Sequence, residues 1–454
     1  MKIKNIILSF LFLQPCIVDT RLHSNKSIHT GNPPVSMKFD FGSSAKPGYK
    51  KINSSTFYND STGFGFEPGS LVTSTSRTTN NAVADGFVTS KKPYMFSIKL
   101  PEGSYNVVLR LGDIEGISDM AVRAECRRMM IERVVTKQNE IKTVEFTVHI
   151  RDTLIRATGN KVKIKSRERD FLHWDNKLTL EFNGVEPKLN TIEINPANSN
   201  MVTIFLAGNS TVVDQDKEPY AAWGQMIPAF FEPQRICIAN YAESGESLNS
   251  FIAEKRFEKV LSLMNRGDYA FIEFGHNDQK QRGEGIGAFT SYKKDLRFFI
   301  AEVRHKGGIP VLITSMHRRH FDTAGHIIQT LGDYPEAVRQ TAKEENVALI
   351  DLNAMSKVLY EAWGPDESKK AFVIYPANSF PGQRTELNDN THFNPYGAYE
   401  IARCIVNGIR QNNLGIAKYL KKDLKAFDPA KPDPVTDLYW PLSPLTASKK
   451  PDGN

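Results

Sequence analysis

The first half of the chain alternates hydrophobic and polar residues with a period of two. The alternation is clearest in residues 95–100, 105–111, 144–150 and 178–182, and turns containing glycine or proline separate these runs. A period of two places one face of each strand against a core and the other toward solvent, as antiparallel sheets require. The pattern therefore predicts an antiparallel β-sandwich over residues 37–196.

From residue 200 onward, short apolar runs alternate with longer stretches of helical period. The apolar runs are 202–206, 236–242, 269–274, 309–314 and 347–351, and the helical stretches lie near 220–231, 252–265, 292–306, 334–346 and 395–411. Such alternation is typical of right-handed βαβ units around a buried parallel sheet. We predict a multidomain protein whose second domain, residues 200–427, is a doubly wound α/β/α fold. A tail rich in proline, lysine and serine follows over residues 428–454.

Composition narrows the class of protein without identifying it. The chain has 454 residues, of which 40% are hydrophobic and 24% charged, and these values exclude a polytopic membrane protein, a disordered polymer and a collagen-like repeat. The net charge of +7 comes without a dense block of lysine or arginine, so nucleic acid is not an expected partner. Four cysteines, at positions 16, 126, 237 and 404, are too few and too scattered for a disulfide scaffold or a CxxC metal site.

The N-terminus has the features of an export signal. Lys2 and Lys4 precede an apolar run over residues 6–13 that is too short to span a bilayer comfortably. We predict a signal peptide over residues 1–20 and an exported protein, which is periplasmic, secreted or held at the cell surface. A lipid anchor at Cys16 and a buried N-terminal strand are the alternatives.

Polar residues follow the strands of the predicted parallel sheet, at the edge where ligands of such sheets bind. Gly208-Asn209-Ser210 follows the first strand, Gly245 follows the second, and Gly275-His276-Asn277-Asp278 follows the third. Asp389 and His392 stand just ahead of the last helix. Each block is individually weak, but their order and placement on one side of the sheet favour a single site.

These residues supply the groups that acyl transfer needs. A serine hydroxyl is a poor nucleophile unless an adjacent base takes its proton and a third group orients that base. We predict Ser210 as the nucleophile, His392 as the base and Asp389 as the group that orients the imidazole. The backbone N–H groups of Ser210 and Gly245 and the side-chain amide of Asn277 are the expected oxyanion donors. The alternatives are a helix N-cap for the serine, a surface position for the histidine and ordinary turns for the other three.

The blocks resemble those of the SGNH hydrolase superfamily, the GDSL-type esterases. The resemblance implies a flavodoxin-like fold, with Ser210, Gly245, Asn277 and His392 as the residues of the family's name and Asp389 as the third member of a triad. One position departs from the family pattern, because the usual Gly-Asp-Ser reads Gly-Asn-Ser here. The aspartate of that motif is not a triad member in the family, so the implied mechanism does not depend on it.

A narrower likeness covers nearly all of residues 201–412. The segments that are similar to rhamnogalacturonan acetylesterases are 210–214, 222–226, 275–279, 319–322 and 332–335. Those enzymes remove O-acetyl groups from the pectin backbone. The β-sandwich, with Asp40-Phe41-Gly42 and residues 182–187, is similar to the galactose-binding-like modules attached to bacterial members. The likeness implies an acetylated plant cell-wall polysaccharide or its oligosaccharides as substrate, an acetyl-enzyme intermediate and no cofactor.

Three further residues are candidate substrate contacts. Arg318 and Arg319 follow the fourth strand and could meet galacturonate carboxylates, because the guanidinium fork matches a carboxylate. Solvated or salt-bridged arginines are the alternative. His276 could contact substrate or pack beside Asn277. Residues 167–170, by contrast, are typical of an exposed turn.

The histidines near Arg318 and Arg319 raise the question of a metal. No metal is expected, because no second cluster of acidic residues joins the nearby histidines His317, His320 and His326.

Two rival functions stay open at this point. One rival is the same fold acting on another ester, such as acetylated xylan, sialate or a lipid, although no apolar lid-like insertion is visible. The other rival is a non-catalytic carbohydrate-binding protein, against which the intact serine, histidine and aspartate argue. The β-sandwich either binds sugar or braces the catalytic half.

Overall fold

The computed structural model describes residues 35–447, apart from 45, 80 and 82, together with residue 451. The predicted signal peptide over residues 1–20 and Cys16 lie outside the described residues. No helix in this described part combines the length and the apolar character that crossing a bilayer requires.

Two sheets pack face to face in the N-terminal half. In chain order the strands are β1 (Met37–Asp40), β2 (Lys50–Lys51), β3 (Phe64–Phe66), β4 (Thr73–Ser76), β5 (Gly86–Thr89), β6 (Tyr94–Lys99), β7 (Gly103–Asp113), β8 (Ser118–Ala124), β9 (Arg128–Thr136), β10 (Glu140–Ile150), the short pair β11 (Leu154–Ile155) and β12 (Asn160–Lys161), β13 (Lys177–Val185) and β14 (Leu189–Pro196). One sheet has the order β10-β7-β14-β1-β2, with β5 attached to β14 and β4 attached to β5, and the other has the order β3-β6-β13-β8-β9. Apart from the parallel pair β1 and β2, their strands pair antiparallel.

Strand β7 shows how the period of two builds the core. Tyr105, Val107, Leu109 and Leu111 are buried, and the residues between them are half-buried. The buried set belongs to one hydrophobic cluster with Phe182 from the opposite sheet. Burial of apolar surface on one face of each sheet holds the two layers together. The predicted antiparallel β-sandwich is confirmed.

The C-terminal half is built on a parallel sheet. Its strands are β15 (Val202–Gly208), β16 (Ile236–Asn240), β17 (Tyr269–Glu273), β18 (Ile309–Ile313) and β19 (Ala348–Ile350), and an antiparallel pair follows as β20 (Phe372–Tyr375) and β21 (Leu387–Phe393). The helices are α1 (Trp223–Met226), α2 (Leu248–Ala253), α3 (Arg256–Leu263), α4 (Lys293–His305), α5 (Tyr334–Glu344), α6 (Leu352–Glu367) and α7 (Pro395–Gln411).

Alternate residues of β15 show that helices cover both faces of the parallel sheet. Ile204 and Leu206 pack in a cluster with residues of α6 and α7, whereas Phe205 and Ala207 pack in a cluster with residues of α2 to α5. The strand order is β16-β15-β17-β18-β19, and every pairing is parallel. This is the doubly wound, flavodoxin-like order, whose switch point lies between the first and third strands. The predicted α/β/α fold is confirmed, and the carboxyl ends of β15 and β17 are where a site is expected.

The helices differ in detail from the sequence prediction. The continuous helix expected over 252–265 is two helices, because Lys255 between α2 and α3 has a left-handed backbone with φ of 62°. The stretch 220–231 contains only the short α1 and a 3₁₀ turn that includes Pro228. Helix α6 was not predicted. Its apolar residues are spread around the helix, since Val358 is exposed while Leu359 is buried, and this blurs the helical period.

The described part of the C-terminal tail contacts both domains. The Ser443 hydroxyl donates to Glu181 of the β-sandwich, and the Ser443 amide donates to Glu218 of the loop after β15. Trp440 also donates from Nε1 to Glu218, and the Arg123 guanidinium lies 3.6 Å from the centre of the Trp440 ring. The tail therefore ties the β-sandwich to the loop that follows the first strand of the parallel sheet.

Candidate active site

Ser210 lies in a tight turn at the carboxyl end of β15. The turn is set by Asn209, whose Oδ1 accepts hydrogen bonds from the Thr211 amide (3.0 Å) and the Thr211 hydroxyl (2.9 Å). Asx side chains commonly organise turns in this way. Because an aspartate would offer the same oxygen, the replacement of Asp by Asn in the Gly-Asn-Ser motif leaves this turn intact.

His392 and Asp389 are brought to Ser210 by β21. This strand ends at Phe393, and Asn394 caps the following helix by accepting a hydrogen bond from the Gly397 amide. His392 Nε2 lies 2.8 Å from the Ser210 hydroxyl oxygen, and His392 Nδ1 lies 2.7 Å from Asp389 Oδ2. All three side chains are buried. The structure therefore brings the three predicted residues together in one hydrogen-bonded series.

The electrostatics of this series favour an ionised aspartate. Burial alone would raise the pKa of Asp389, but the hydrogen bond and charge of His392 together with amide hydrogen bonds lower it to about 2. Those amides are the Thr391 and His392 N–H groups, which donate to Asp389 Oδ1 at 2.8 and 3.0 Å. A carboxylate at Nδ1 holds the proton on that nitrogen, so Nε2 is left to accept a proton from the serine hydroxyl.

The two other predicted donors lie on neighbouring loops. Gly245 sits in the turn after β16 with φ of 83°, a conformation that favours glycine. Within the described residues, neither the Ser210 amide nor the Gly245 amide donates to a protein acceptor. The Asn277 side-chain amide donates one hydrogen bond to the Glu246 carbonyl at 2.9 Å. This bond fixes the orientation of the amide and leaves its second N–H available for an oxyanion.

Asp278 connects the loops that carry Gly245 and Asn277. Its Oδ1 accepts from the Leu248 amide at the start of α2, and its Oδ2 accepts from the Gly275 amide, both at 2.9 Å. Burial raises the pKa of Asp278 to about 7 against the effect of these hydrogen bonds. One side chain therefore sets the spacing between the two loops.

Glu273, which the sequence did not mark as part of the site, is a buried acid beneath the serine turn. It ends β17 and accepts hydrogen bonds from Trp223 Nε1 (2.8 Å) and from the Thr211 hydroxyl (3.2 Å). Burial raises its pKa to about 7 despite these donors. The available signal was an acid inside an otherwise apolar strand of a buried sheet, where a charged residue is anomalous.

Glu273→Gln is expected to change how stability depends on pH. A carboxyl whose pKa is raised by folding stabilises the fold below its unfolded pKa and loses that contribution as pH rises through the folded value. For Glu273 the window runs from 4.5 to about 7, and the contribution is at most about 3 kcal/mol. The amide keeps an acceptor for Trp223 but does not titrate. As the pH rises from 4.5 to 7, the melting temperature should therefore fall less steeply for the variant than for the wild type.

The matched control is Glu386→Gln, which replaces an exposed glutamate. This control should follow the wild-type pH dependence. Identical pH dependence in Glu273→Gln and the wild type would show that Glu273 does not bind a proton on folding in this range.

The structure gives the three candidate substrate contacts different surroundings. His276 is buried, and its pKa is lowered well below the usual range by burial and then by the charges of Arg318 and His392. Arg319 donates to the Ser368 hydroxyl and the Asn390 side chain, both at 2.8 Å, so its guanidinium supports the segment that carries Asp389. Arg318 is half-buried, with Nη2 3.4 Å from the His276 carbonyl. Their predicted contacts with substrate stay predictions.

The expectation of an exposed turn over residues 167–170 is wrong at Glu168. This side chain is buried and pairs with Arg256 through both of its oxygens, at 2.5 and 3.1 Å. Trp174 Nε1 donates to it at 3.0 Å. The alternating charges of this segment look solvated in the sequence, but the charge of Glu168 is neutralised by a residue 88 positions away in the catalytic half.

Glu168, His173 and Glu243 are the described residues that come close enough to hold a metal, with ligand atoms within 4.8 Å of one another. Their surroundings do not fit a cation. Both oxygens of Glu168 already accept hydrogen bonds from Arg256. Burial and the charges of Arg151, Arg128 and Arg256 lower the pKa of His173 well below its usual range. Arg256 and Arg167 already supply the positive charge that a metal ion would bring to Glu168 and Glu243.

Two protein families match this chain. Residues 205–398 match the family described as GDSL-like lipase/acylhydrolase. Residues 37–160 match the family described as beta-agarase/YXIM esterase-like, galactose-binding domain-like. Both resemblances read from the sequence are confirmed, and each match falls in the half of the chain for which it was expected.

Three curated proteins of Bacillus subtilis (strain 168) are similar to the chain. Rhamnogalacturonan acetylesterase RhgT is 42% identical over 221 residues, which cover 48% of this chain and 94% of that protein. Probable rhamnogalacturonan acetylesterase YesY is 34% identical over 223 residues, 48% of this chain and 98% of that protein. Uncharacterized esterase YxiM is 24% identical over 398 residues, 86% of this chain and 94% of that protein, so this similarity extends across both domains.

Proposed function

The chain belongs to the GDSL-like lipase/acylhydrolase family and is a serine esterase, and from that premise we propose that it removes O-acetyl groups from the rhamnogalacturonan of pectin. The observation that carries the chemistry is the hydrogen-bonded series from Ser210 through His392 to Asp389. Support for the substrate comes from two relatives, one named as a rhamnogalacturonan acetylesterase and one as a probable one. The chain matches nearly the whole length of each of these relatives.

The proposed reaction passes through an acetyl-enzyme. Ser210 Oγ attacks the acetyl carbonyl while His392 Nε2 takes its proton, and Asp389 stabilises the imidazolium that forms. The negative oxygen of the tetrahedral intermediate is held by the Ser210 and Gly245 amides and the Asn277 side chain. His392 then returns the proton to the departing sugar oxygen. Water, activated by the same histidine, hydrolyses the acetyl-enzyme and releases acetate.

A cleft beside the triad of Ser210, His392 and Asp389 offers room for part of a polysaccharide chain. It has a volume of about 410 Å³ and is lined, among others, by Arg167, Phe171, Lys217, Tyr220 and Ser244. Tyr220, which lines the cleft, packs edge-on against the His392 ring with centroids 5.9 Å apart, so the cleft adjoins the base of the triad. Its lining combines aromatic rings with charged side chains of both signs, and such a mixed polar and aromatic surface suits sugar rings.

Lys217→Ala is expected to weaken binding of the polymer without affecting the chemistry. Lys217 is exposed at the cleft and 3.4 Å from Asp216. We expect the KM for acetylated rhamnogalacturonan to rise about three- to tenfold, because one cationic contact to the polymer is lost. The kcat/KM for 4-nitrophenyl acetate should not change, because this small ester carries no carboxylate for Lys217 to bind. Lys294→Ala, on the exposed face of α4, is the control. An unchanged polymer KM would remove this residue from the substrate path.

Asn277→Ala is expected to lower kcat by about 10²- to 10³-fold, which is typical for loss of one oxyanion donor. KM for 4-nitrophenyl acetate should change little, because the lost hydrogen bond forms mainly in the transition state. Asn249→Ala removes an exposed amide from the helix that follows the Gly245 loop and should leave kcat near the wild-type value. A kcat within twofold of the wild type for Asn277→Ala would exclude this side chain as an oxyanion donor.

The substrate assignment is tested by comparing three polymers. Acetate release is measured from acetylated rhamnogalacturonan, acetylated homogalacturonan and acetylated xylan at equal acetyl content. We expect the highest kcat/KM on rhamnogalacturonan. Equal rates on all three, or faster release from xylan, would contradict the proposed substrate while leaving the esterase chemistry untouched.

A further inference from the structure

Two cationic side chains of the β-sandwich reach the loop that carries Gly245. Lys165 Nζ lies 2.5 Å from the Ser244 carbonyl oxygen and 2.6 Å from Glu246 Oε1. Arg167 Nη2 lies 3.0 Å from the same carbonyl oxygen and 2.6 Å from Glu243 Oε1. One carbonyl of the loop is therefore held by two cations from the other domain, and the loop carboxylates on either side of it are paired with the same cations.

The Ser244 carbonyl and the Gly245 N–H belong to one peptide group. A trans peptide is planar, and its C=O and N–H point in opposite directions. Holding the Ser244 oxygen toward Lys165 and Arg167 therefore directs the Gly245 N–H away from the β-sandwich segment. Because glycine tolerates φ values of either sign, this peptide could rotate to the reverse orientation unless the carbonyl is held.

The segment that holds the carbonyl is itself firmly anchored. Lys165 and Arg167 closely precede the buried Glu168, whose two oxygens pair with Arg256 at the start of α3. The Lys165 amide donates to Glu168 Oε2 at 2.7 Å, which fixes the backbone at the first of the two cations. Anchoring of this kind lets two partly exposed side chains act as rigid hydrogen-bond donors.

We propose that Lys165 and Arg167 are positioning residues that keep the Ser244–Gly245 peptide in the orientation required for oxyanion stabilisation, so that the β-sandwich is part of the catalytic unit. The proposal rests on the proposed function, because it assigns the Gly245 N–H to the oxyanion. It gives the β-sandwich a role in the rate of the reaction on any ester, separate from sugar binding.

The test measures kcat and KM for 4-nitrophenyl acetate in Lys165→Met, Arg167→Met and the double variant of the full chain. We expect kcat to fall about tenfold in each single variant and about 100-fold in the double variant, approaching the loss of a whole oxyanion donor. KM should stay within about twofold of the wild type, because the ester in the ground state does not need the N–H. Lys165→Arg and Arg167→Lys keep a cationic donor and should recover most of the rate.

A second readout does not depend on turnover. An alkylboronic acid forms a tetrahedral adduct with a serine hydroxyl, and an oxygen of that adduct occupies the oxyanion position. Its inhibition constant should rise in proportion to the fall in kcat across these variants. Arg169→Met, an exposed position on the same short helix, is the control and should change neither quantity.

Three results would overturn the proposal. The first is an unchanged kcat in the double variant, and the second is a fall in kcat that the boronic acid constant does not follow. The third is a rise in KM on the acetylated polymer with a normal kcat on the small ester, which would assign Lys165 and Arg167 to substrate binding. The variant Ser210→Ala distinguishes these results from a failure of the proposed function. If Ser210→Ala is inactive, the proposed function stands even when the positioning role fails. If Ser210→Ala is active, the proposed function is rejected.

Discussion

Ser210→Ala should lower kcat for 4-nitrophenyl acetate and for acetylated rhamnogalacturonan by about 10⁴- to 10⁶-fold. The substitution removes the oxygen that lies 2.8 Å from His392 Nε2 and forms the covalent bond to the acetyl group. The backbone N–H of residue 210 remains, so the oxyanion donors are retained. Binding of a product oligosaccharide, measured by calorimetry, should therefore persist while turnover is lost.

Ser379→Ala is the matched control for this substitution. Ser379 is exposed, and its hydroxyl donates to the Pro376 carbonyl, so its loss should leave kcat at the wild-type level. Wild-type turnover by Ser210→Ala would place the nucleophile elsewhere and would reject the reaction proposed above.

Asp389→Asn should lower kcat by about 10⁴-fold at neutral pH with little change in KM. The two carboxylate oxygens accept on opposite sides, from His392 Nδ1 on one and from the Thr391 and His392 amides on the other. An asparagine has only one oxygen, and the backbone amides favour its placement toward them. The NH₂ group then faces Nδ1, which favours the tautomer with the proton on Nε2, where it blocks proton transfer from Ser210.

The control for this variant is Asp366→Asn, because the Asp366 side chain is 91% exposed. It should retain the wild-type kcat. A loss smaller than tenfold in Asp389→Asn would show that the carboxylate neither sets the tautomer nor stabilises the imidazolium.

Elements that depend on local pattern and on sheet geometry could be predicted from the sequence. The ends of β15 and β17 carry Ser210 and Asn277 because strands of a parallel sheet present their carboxyl ends on one edge. The short motif that contains His392 then predicted this residue as the base, although it lies 182 positions from Ser210. The fold class and the membership of the site follow from these two regularities.

Contacts that depend on how the two domains pack could not be predicted in this way. The charges of residues 165–170 form a pattern that is typical of a solvated turn, and only the folded chain pairs Glu168 with Arg256 and Lys165 with Glu246. Desolvated ion pairs between distant segments leave no periodicity in the sequence. Glu273 could be predicted only in part. Its place in an apolar strand marks it as unusual but does not identify Thr211 and Trp223 as its hydrogen-bond partners.

Trapping the acetyl-enzyme tests directly whether Ser210 is the nucleophile. The full chain is mixed with 4-nitrophenyl acetate, quenched in acid within the first turnover and digested, and the acetylated peptide is sequenced by mass spectrometry. We expect one acetyl group on Ser210, formed in the wild type and absent from Ser210→Ala. An acetyl group that accumulates on another residue at the rate of turnover, with Ser210 unmodified, would contradict this expectation.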